Sequence, residues 1–247
     1  MPDSRNPGPS SFPRTRAAAP RGTSVATAFQ RIRELIVKGR LSPGSWLLES
    51  DLCGHLRMSR TPVRAALHQL QREGYVIEHR QGSKSRMVVA PLTLADAGEL
   101  YPIIGRIEGL AGRRAAGMSV VKREKLTAQL ESVNGRLREV ARNQKLAGAS
   151  IFDLDREFHR LIVSAGAGPR LKRLHEAIEP QTERYWRLYA SSILGNLHLS
   201  VAEHEAIVAA LRDGDAARLD HALESNWKNG LGRLAGVIEM FGERGSW

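Results

Sequence analysis

From Val25 to about residue 240 the apolar residues recur at helical spacing almost throughout, and they alternate like a strand in one short region only. A chain patterned this way buries its apolar stripes by packing helix on helix, with room for one small hairpin. Its 247 residues suffice for one large domain or two modest ones. The predicted fold class is mainly α: an N-terminal winged helix-turn-helix followed by an all-helical bundle.

In the N-terminal part, Ala28, Ile32, Leu35 and Ile36 mark a first helix from Val25 that Gly39 stops, and Leu41-Ser42-Pro43-Gly44 reads as a turn. A second helix, Glu49 to Leu56, carries Leu52, Cys53 and Leu56 on one face. After the turn Met58-Ser59-Arg60, Thr61 is the predicted N-cap of a third helix and Pro62 its first helical residue. Val63, Ala66, Leu67 and Leu70 form its buried stripe, and Gly74 ends it. Two strand-like runs follow, Tyr75–Glu78 and Met87–Ala90, joined by a basic loop. After Thr93 the pattern gives amphipathic helices at about 94–117, 120–145, 150–165, 168–192, 198–213 and 215–240, punctuated by glycines such as Gly117, Gly148 and Gly214. The predicted organisation is a disordered basic tail at 1–23, a winged helix-turn-helix domain at 24–91, an all-helical domain at 92–240, and a C-terminal tail at 241–247.

Lys and Arg number 37 against 26 Asp and Glu, a formal net charge of +11. The excess is concentrated: residues 1–90 hold 15 Lys/Arg and 6 Asp/Glu. A block of positive charge suits a polyanion, nucleic acid or an anionic membrane face, although a solvated surface has the same composition. One cysteine, Cys53, excludes an intramolecular disulfide scaffold and points to a reducing interior. No apolar run approaches the ~18–20 residues of a membrane helix, and residues 1–22 lack the apolar segment of a signal peptide. A soluble cytoplasmic protein is expected.

The third helix holds the sharper clue. Arg60 and Arg64 sit at the helix end where the macrodipole favours anions, so stability alone does not account for them. With the hydroxyls of Ser59 and Thr61 and the free backbone N–H groups, they make a site for phosphates and base edges. The alternative is ordinary surface ion pairing. In the wing, Arg80, Gln81, Gly82 and Lys84 could reach a minor groove; the alternative there is a solvated turn.

Further along, Asp155 and His159 lie four apart, on one helical face, where a carboxylate and an imidazole can converge on a divalent cation. From spacing alone an ordinary i,i+4 ion pair is the better reading of these two, and a hydrogen-bonded core histidine the better reading of His204. A metal-dependent enzyme built on these three residues is the rival from another class. It lacks HExxH, GxSxG and Walker-type motifs, and Glu157 points roughly 200° from Asp155 around the helix. A nonspecific architectural DNA protein is a third possibility, against which stands the large, nearly neutral helical half.

The segments Gly39-Arg40-Leu41-Ser42-Pro43-Gly44, Met58-Ser59-Arg60-Thr61-Pro62-Val63-Arg64 and Glu73-Gly74-Tyr75 resemble the GntR family of bacterial transcription regulators over roughly residues 24–90. Residues 93–240, through Asp155-Arg156-Glu157-Phe158-His159 and Glu203-His204-Glu205-Ala206-Ile207, resemble the FCD effector domain of its fatty-acid-regulator branch. The resemblance implies operator contacts by Arg60, Thr61, Arg64 and the Gln81-Gly82 region; Ser50 replaces a DNA-contacting arginine of some relatives. It also implies a dimer on a roughly palindromic double-stranded operator, a repressor, a small organic effector, and no membrane. In many FCD domains an Asp and three His hold a divalent metal of the Zn, Ni or Mn class. Asp155, His159 and His204 match three of those ligands, and Asn226 stands at the fourth, where it offers only a weak carbonyl ligand or an effector contact. His221 faces elsewhere. Ile104 occupies a position where carboxylate-binding relatives carry arginine, and Arg106 is expected to point away.

Overall fold

The computed structural model describes residues 25–81, 84–143, 150–189, 192 and 194–246. The expectation for the tail at 1–23 lies outside the described residues.

The N-terminal unit packs α1 (Val25–Val37), α2 (Glu49–Leu56) and α3 (Arg60–Arg72) against an antiparallel hairpin of β1 (Val76–Gln81) and β2 (Lys84–Val89). Ala28, Ile32, Leu52, Val63, Leu67 and Leu70 are sealed in its core by Tyr75 and Val76. Gly74, at φ +79°, turns the chain from α3 into β1, a backbone shape that favours glycine. Trp46 bridges to Val88 and extends the hairpin by a short third edge.

Three boundaries differ from the sequence reading. Helix α3 starts one residue before Thr61: Ser59 is the N-cap, with extended backbone (φ −72°, ψ 165°), and Pro62 is the third helical residue. Proline is accommodated there because none of the first N–H groups has an intrahelical acceptor. Both strands reach further into the predicted basic loop, so Arg80 and Gln81 belong to β1 and Lys84 to β2. This extension beyond the core face carries polar residues, and no apolar alternation betrays it. Residues 242–246, expected as a tail, fold back: Leu92 and Arg244 exchange backbone hydrogen bonds of 2.8 and 3.1 Å. A Cβ on Gly245 would collide with the backbone of Pro43 and Gly44, so glycine permits this return.

The remaining elements are helical: α4 (Leu94–Ala116), α5 (Val120–Arg142), α6 (Ser150–Gly166), α7 (Pro169–Leu188), α8 (Leu197–Asp213) and α9 (Ala216–Phe241). Thr93 caps α4 by accepting from the Asp96 N–H, and Asp215 caps α9 by accepting from Ala217 and Arg218. One core unites α5, α6 and α8 around Leu130, Phe158, Ile162 and Ile207; another joins α4, α7 and α9 around Tyr101, Ile104, Tyr185 and Trp227. No described helix is long and apolar enough to cross a membrane.

Helix α7 ties the two halves together. Gln181 Nε2 donates to the Glu73 carbonyl at 2.9 Å, Arg184 Nη2 to the Ala90 carbonyl at 2.5 Å, and Tyr185 Oη to the Thr93 carbonyl at 2.9 Å. Arg184 is buried, so its contact lies inside the junction and out of solvent competition.

Candidate functional site

Ser59, Arg60, Thr61 and Arg64 gather around the N-terminus of α3, and all four are exposed. Ser59 makes no side-chain capping bond, and among the described residues no other side chain takes its place, so the first N–H groups of α3 are available to an acceptor. Arg64 is engaged: its Nε donates to Glu49 Oε1 and its Nη2 to Glu49 Oε2, both at 2.8 Å. The hydrogen bond from Arg64 holds the Glu49 carboxyl below its ordinary range, with Arg60 and His68 adding to the effect. The ion pairing posed as the alternative for the arginines is thus present at Arg64. Among the described residues no hydrogen bond or ion pair engages the Arg60 side chain. Arg80 is exposed on β1 opposite Ser85, Gln81 closes β1, and Gly82 lies outside the described residues. The wing is stiffened at its base, where the Arg86 guanidinium lies 5.2 Å from the Trp46 ring centre.

The second site lies in the helical half. Asp155 and His159 project from successive turns of α6 toward His204 of α8, and one ligand atom of each lies within 4.8 Å of the others. His159 Nδ1 meets Glu108 Oε2 at 2.5 Å, which turns Nε2 toward the cluster. His204 Nδ1 meets Asn134 Oδ1 at 3.2 Å, while Asn134 Nδ2 donates to the Val201 carbonyl at 3.0 Å. The asparagine therefore presents an acceptor to His204, and His204 Nδ1 carries the proton. His204 Nε2 is left buried without a hydrogen-bond partner, 3.6 Å from Asp155 Oδ1. Burial holds the His204 pKa well below its ordinary value, so the ring stays neutral with a lone pair on Nε2. The ring stacks on Phe158, centres 3.8 Å apart and 3° from parallel. A buried, orphaned imidazole nitrogen beside a second imidazole and a carboxylate fits a borderline divalent cation.

Asn226 also borders this space. Its Nδ2 donates to Glu203 Oε2 at 2.8 Å, and Glu203 in turn pairs with Arg233 at 2.7 Å. The carbonyl oxygen remains the atom Asn226 can offer. Glu157 is exposed beside Arg136, His221 is exposed beside Ser225, and Arg106 pairs outside the chamber with Glu224. Ile104 is fully buried and supplies no charge.

Spacing alone did not single out the hub of this site. Glu108, fully buried on α4, accepts from His159, from His175 Nε2 at 3.0 Å and from Trp227 Nε1 at 2.8 Å. Burial alone would raise its pKa; the His159 charge and the hydrogen bonds from both histidines hold it at about 2. Burial likewise opposes the charged form of His159, which the Glu108 carboxylate raises to about 9. The available signal was an acid at core spacing with Tyr101, Ile104 and Ala111. His175 carried none, being flanked by Lys172, Arg173 and Glu176 on a charged helix. The pocket beside the cluster, lined by Phe152, Thr182, Trp186 and Trp227 among others, holds only about 30 Å³. That volume admits water or an ion; an organic molecule would fit in this pocket only if side chains moved.

Residues 25–84 match the GntR family of bacterial regulatory proteins, and residues 99–228 match the FCD domain. The chain is 31% identical over 204 residues to a protein of Paenarthrobacter nicotinovorans named "Probable D-xylose utilization operon transcriptional repressor", covering 80% of this chain and 84% of that one. It is 30% identical over 144 residues to an uncharacterized HTH-type transcriptional regulator in the TAR-I ttuE-ttuC' intergenic region of Agrobacterium vitis, covering 58% of this chain and 81% of that one. Among solved structures, McbR/YncC of E. coli superposes with a TM-score of 0.66 at 19% identity, covering 86% of this chain and 97% of that one, a likeness of fold. The chain belongs to the GntR family of bacterial transcription regulators and carries the FCD domain at its C-terminal side. It is a DNA-binding regulator and not an enzyme.

Proposed function

We propose that this protein is a dimeric repressor of the bacterial cytoplasm that releases, or changes its grip on, a roughly palindromic operator when a small organic metabolite enters the helical half. Two copies would set α3 into successive major grooves and the hairpin wings into flanking minor grooves. Arg and Lys side chains, with the Ser59 and Thr61 hydroxyls, would hold phosphates, while Arg60 and Arg64 would read base edges. Arg80, Gln81 and Gly82 would act in the wing. The repressor sense follows the named Paenarthrobacter relative.

One observation carries the coupling. Thr182, Glu183 and Trp186 of α7 line the pocket, while Gln181, Arg184 and Tyr185 of the same helix hold the DNA-binding half and the linker. An effector seated there that needs more than about 30 Å³ would displace lining groups, those of α7 among them, and the same helix bonds to the DNA-binding half. Such a ligand shifts the balance between two arrangements only by its differential affinity for them.

Asp155, His159 and His204 would hold a divalent metal of the Zn, Ni or Mn class, with Asn226 a weak fourth ligand or an effector contact. When bound, the metal supplies a Lewis-acidic anchor for an oxygen-bearing effector. Glu108 and Asn134 would orient the two imidazoles, and Phe158 would hold the His204 ring by stacking on it.

Genomic fragments selected by the purified protein test the reading. The recovered consensus is expected to be two-fold symmetric, with binding tighter than to a scrambled duplex at moderate salt. Equal affinity for both would refute it.

A further inference from the structure

Glu49 is the first residue of α2, and its carboxylate grips one edge of the Arg64 guanidinium on α3 through two bonds of 2.8 Å. An acid in the first turn of a helix has an ordinary explanation in the macrodipole, and an exposed ion pair contributes little to stability. Neither explains the side-on geometry. Arginine has five N–H donors in a rigid plane, and Glu49 takes those of Nε and one of Nη2. Among the described residues no partner bonds the far edge, Nη1 with the remaining Nη2 hydrogen, and the Arg64 side chain is 59% exposed. That edge is the two-donor fork that matches O6 and N7 of guanine.

We propose that Glu49 is a positioning residue for base reading: it braces Arg64 from behind so that the free edge of the guanidinium is presented end-on to a guanine in each operator half-site. The inference rests on α3 being the DNA-reading helix. An unbraced arginine on a flexible stem finds a phosphate as readily as a base; a braced one has lost that freedom before DNA arrives. Glu49 also brings negative charge to a face that meets phosphates, which weakens binding to every sequence alike. Glu49 therefore sharpens selectivity at the expense of raw affinity.

The experiment uses the full chain and the operator recovered by selection, with every base substituted in turn at each half-site position. Dissociation constants are measured at one salt concentration for the native protein, R64A, E49A and E49Q, together with a scrambled duplex. R64A is expected to lose its preference for guanine at one position. E49A is expected to lose about tenfold of the preference at that same position, with other positions unchanged, and to bind the scrambled duplex two- to threefold tighter. E49Q, whose amide oxygen still accepts one bond from Arg64, is expected to fall between E49A and the native protein. Thermal melts should show all variants folded, since both side chains lie at the surface. If E49A keeps full discrimination at the position that R64A loses, or tightens specific and scrambled binding equally, Glu49 braces nothing and the proposal is overturned. If R64A loses preference nowhere, the reading of α3 fails first and takes this one with it.

Discussion

At the scale of single residues the protein uses charge in two opposite ways. Arg64 and Glu49 are paired at the surface, where solvent screening makes the pair nearly neutral for stability. Glu108 is fully buried and bonded to three donors, where removing one partner strands the others. Urea unfolding should separate them. Glu108→Ala is expected to destabilise the protein by about 3–5 kcal/mol, whereas Arg64→Ala should leave the unfolding midpoint essentially where it is. A second test concerns Asp155 and His204. Protein purified without chelator should contain a divalent metal by elemental analysis, and the double variant Asp155→Ala, His204→Ala should lack it. Equal metal content in both would remove the site. Sequence spacing reached Asp155 and His159, because one helical turn puts both on a single face, but the contacts of Glu108 join residues 51 and 67 positions apart. No local pattern encodes such a pairing, and a lone acid in an apolar stripe gives no hint of which histidines it will meet.

At the scale of elements, helix packing depends on where glycine stands. A Cβ on Gly166, at the end of α6, would run into the Ala111 carbonyl of α4, and backbone cannot step aside as a flexible side chain can. Gly112 of α4 makes a separate close approach, to Leu223 of α9. Gly135, by contrast, sits in α5 with open space around its would-be Cβ. Gly166→Ala is expected to destabilise by about 1–3 kcal/mol through overpacking. Gly135→Ala is expected to stabilise by about 0.5–1 kcal/mol, because alanine loses less backbone freedom on folding. Thermal or urea melts of the two variants check both signs. The helices themselves were legible from periodicity: α4, α6, α8 and α9 lie within about two residues of the ranges their apolar stripes predict. The wing was less so, because its outer half is built of polar residues, His79-Arg80-Gln81 and Lys84-Ser85-Arg86, and shows no apolar alternation. The start of α3 was misplaced because proline is compatible with any position of a first helical turn.

At the scale of the whole molecule, the return of residues 242–246 and the polar grip of α7 join two parts that the charge distribution marks as separate. Linker, C-terminus and α7 meet at Leu92 to Leu94: Arg244 exchanges backbone bonds with Leu92, and Glu243 accepts from the Leu94 N–H. Arg184→Met removes the buried guanidinium contact to Ala90 while keeping a long apolar stem. That variant should keep its operator affinity but lose most of the response to effector, with faster amide exchange at the chain around Ala90. An unchanged response would place the coupling elsewhere. Sequence patterning could not show this junction, since most of its acceptors are backbone carbonyls, which carry no signature of residue type.

The most direct test of the central claim is a titration of the full-length protein, by fluorescence anisotropy at moderate salt, against its selected operator and a scrambled duplex of equal length. Native protein should prefer the operator by at least about a thousandfold. In a variant carrying Arg60→Ala and Arg64→Ala that preference should collapse while the scrambled duplex still binds. A double variant that keeps the native preference would contradict the claim that the start of α3 reads DNA.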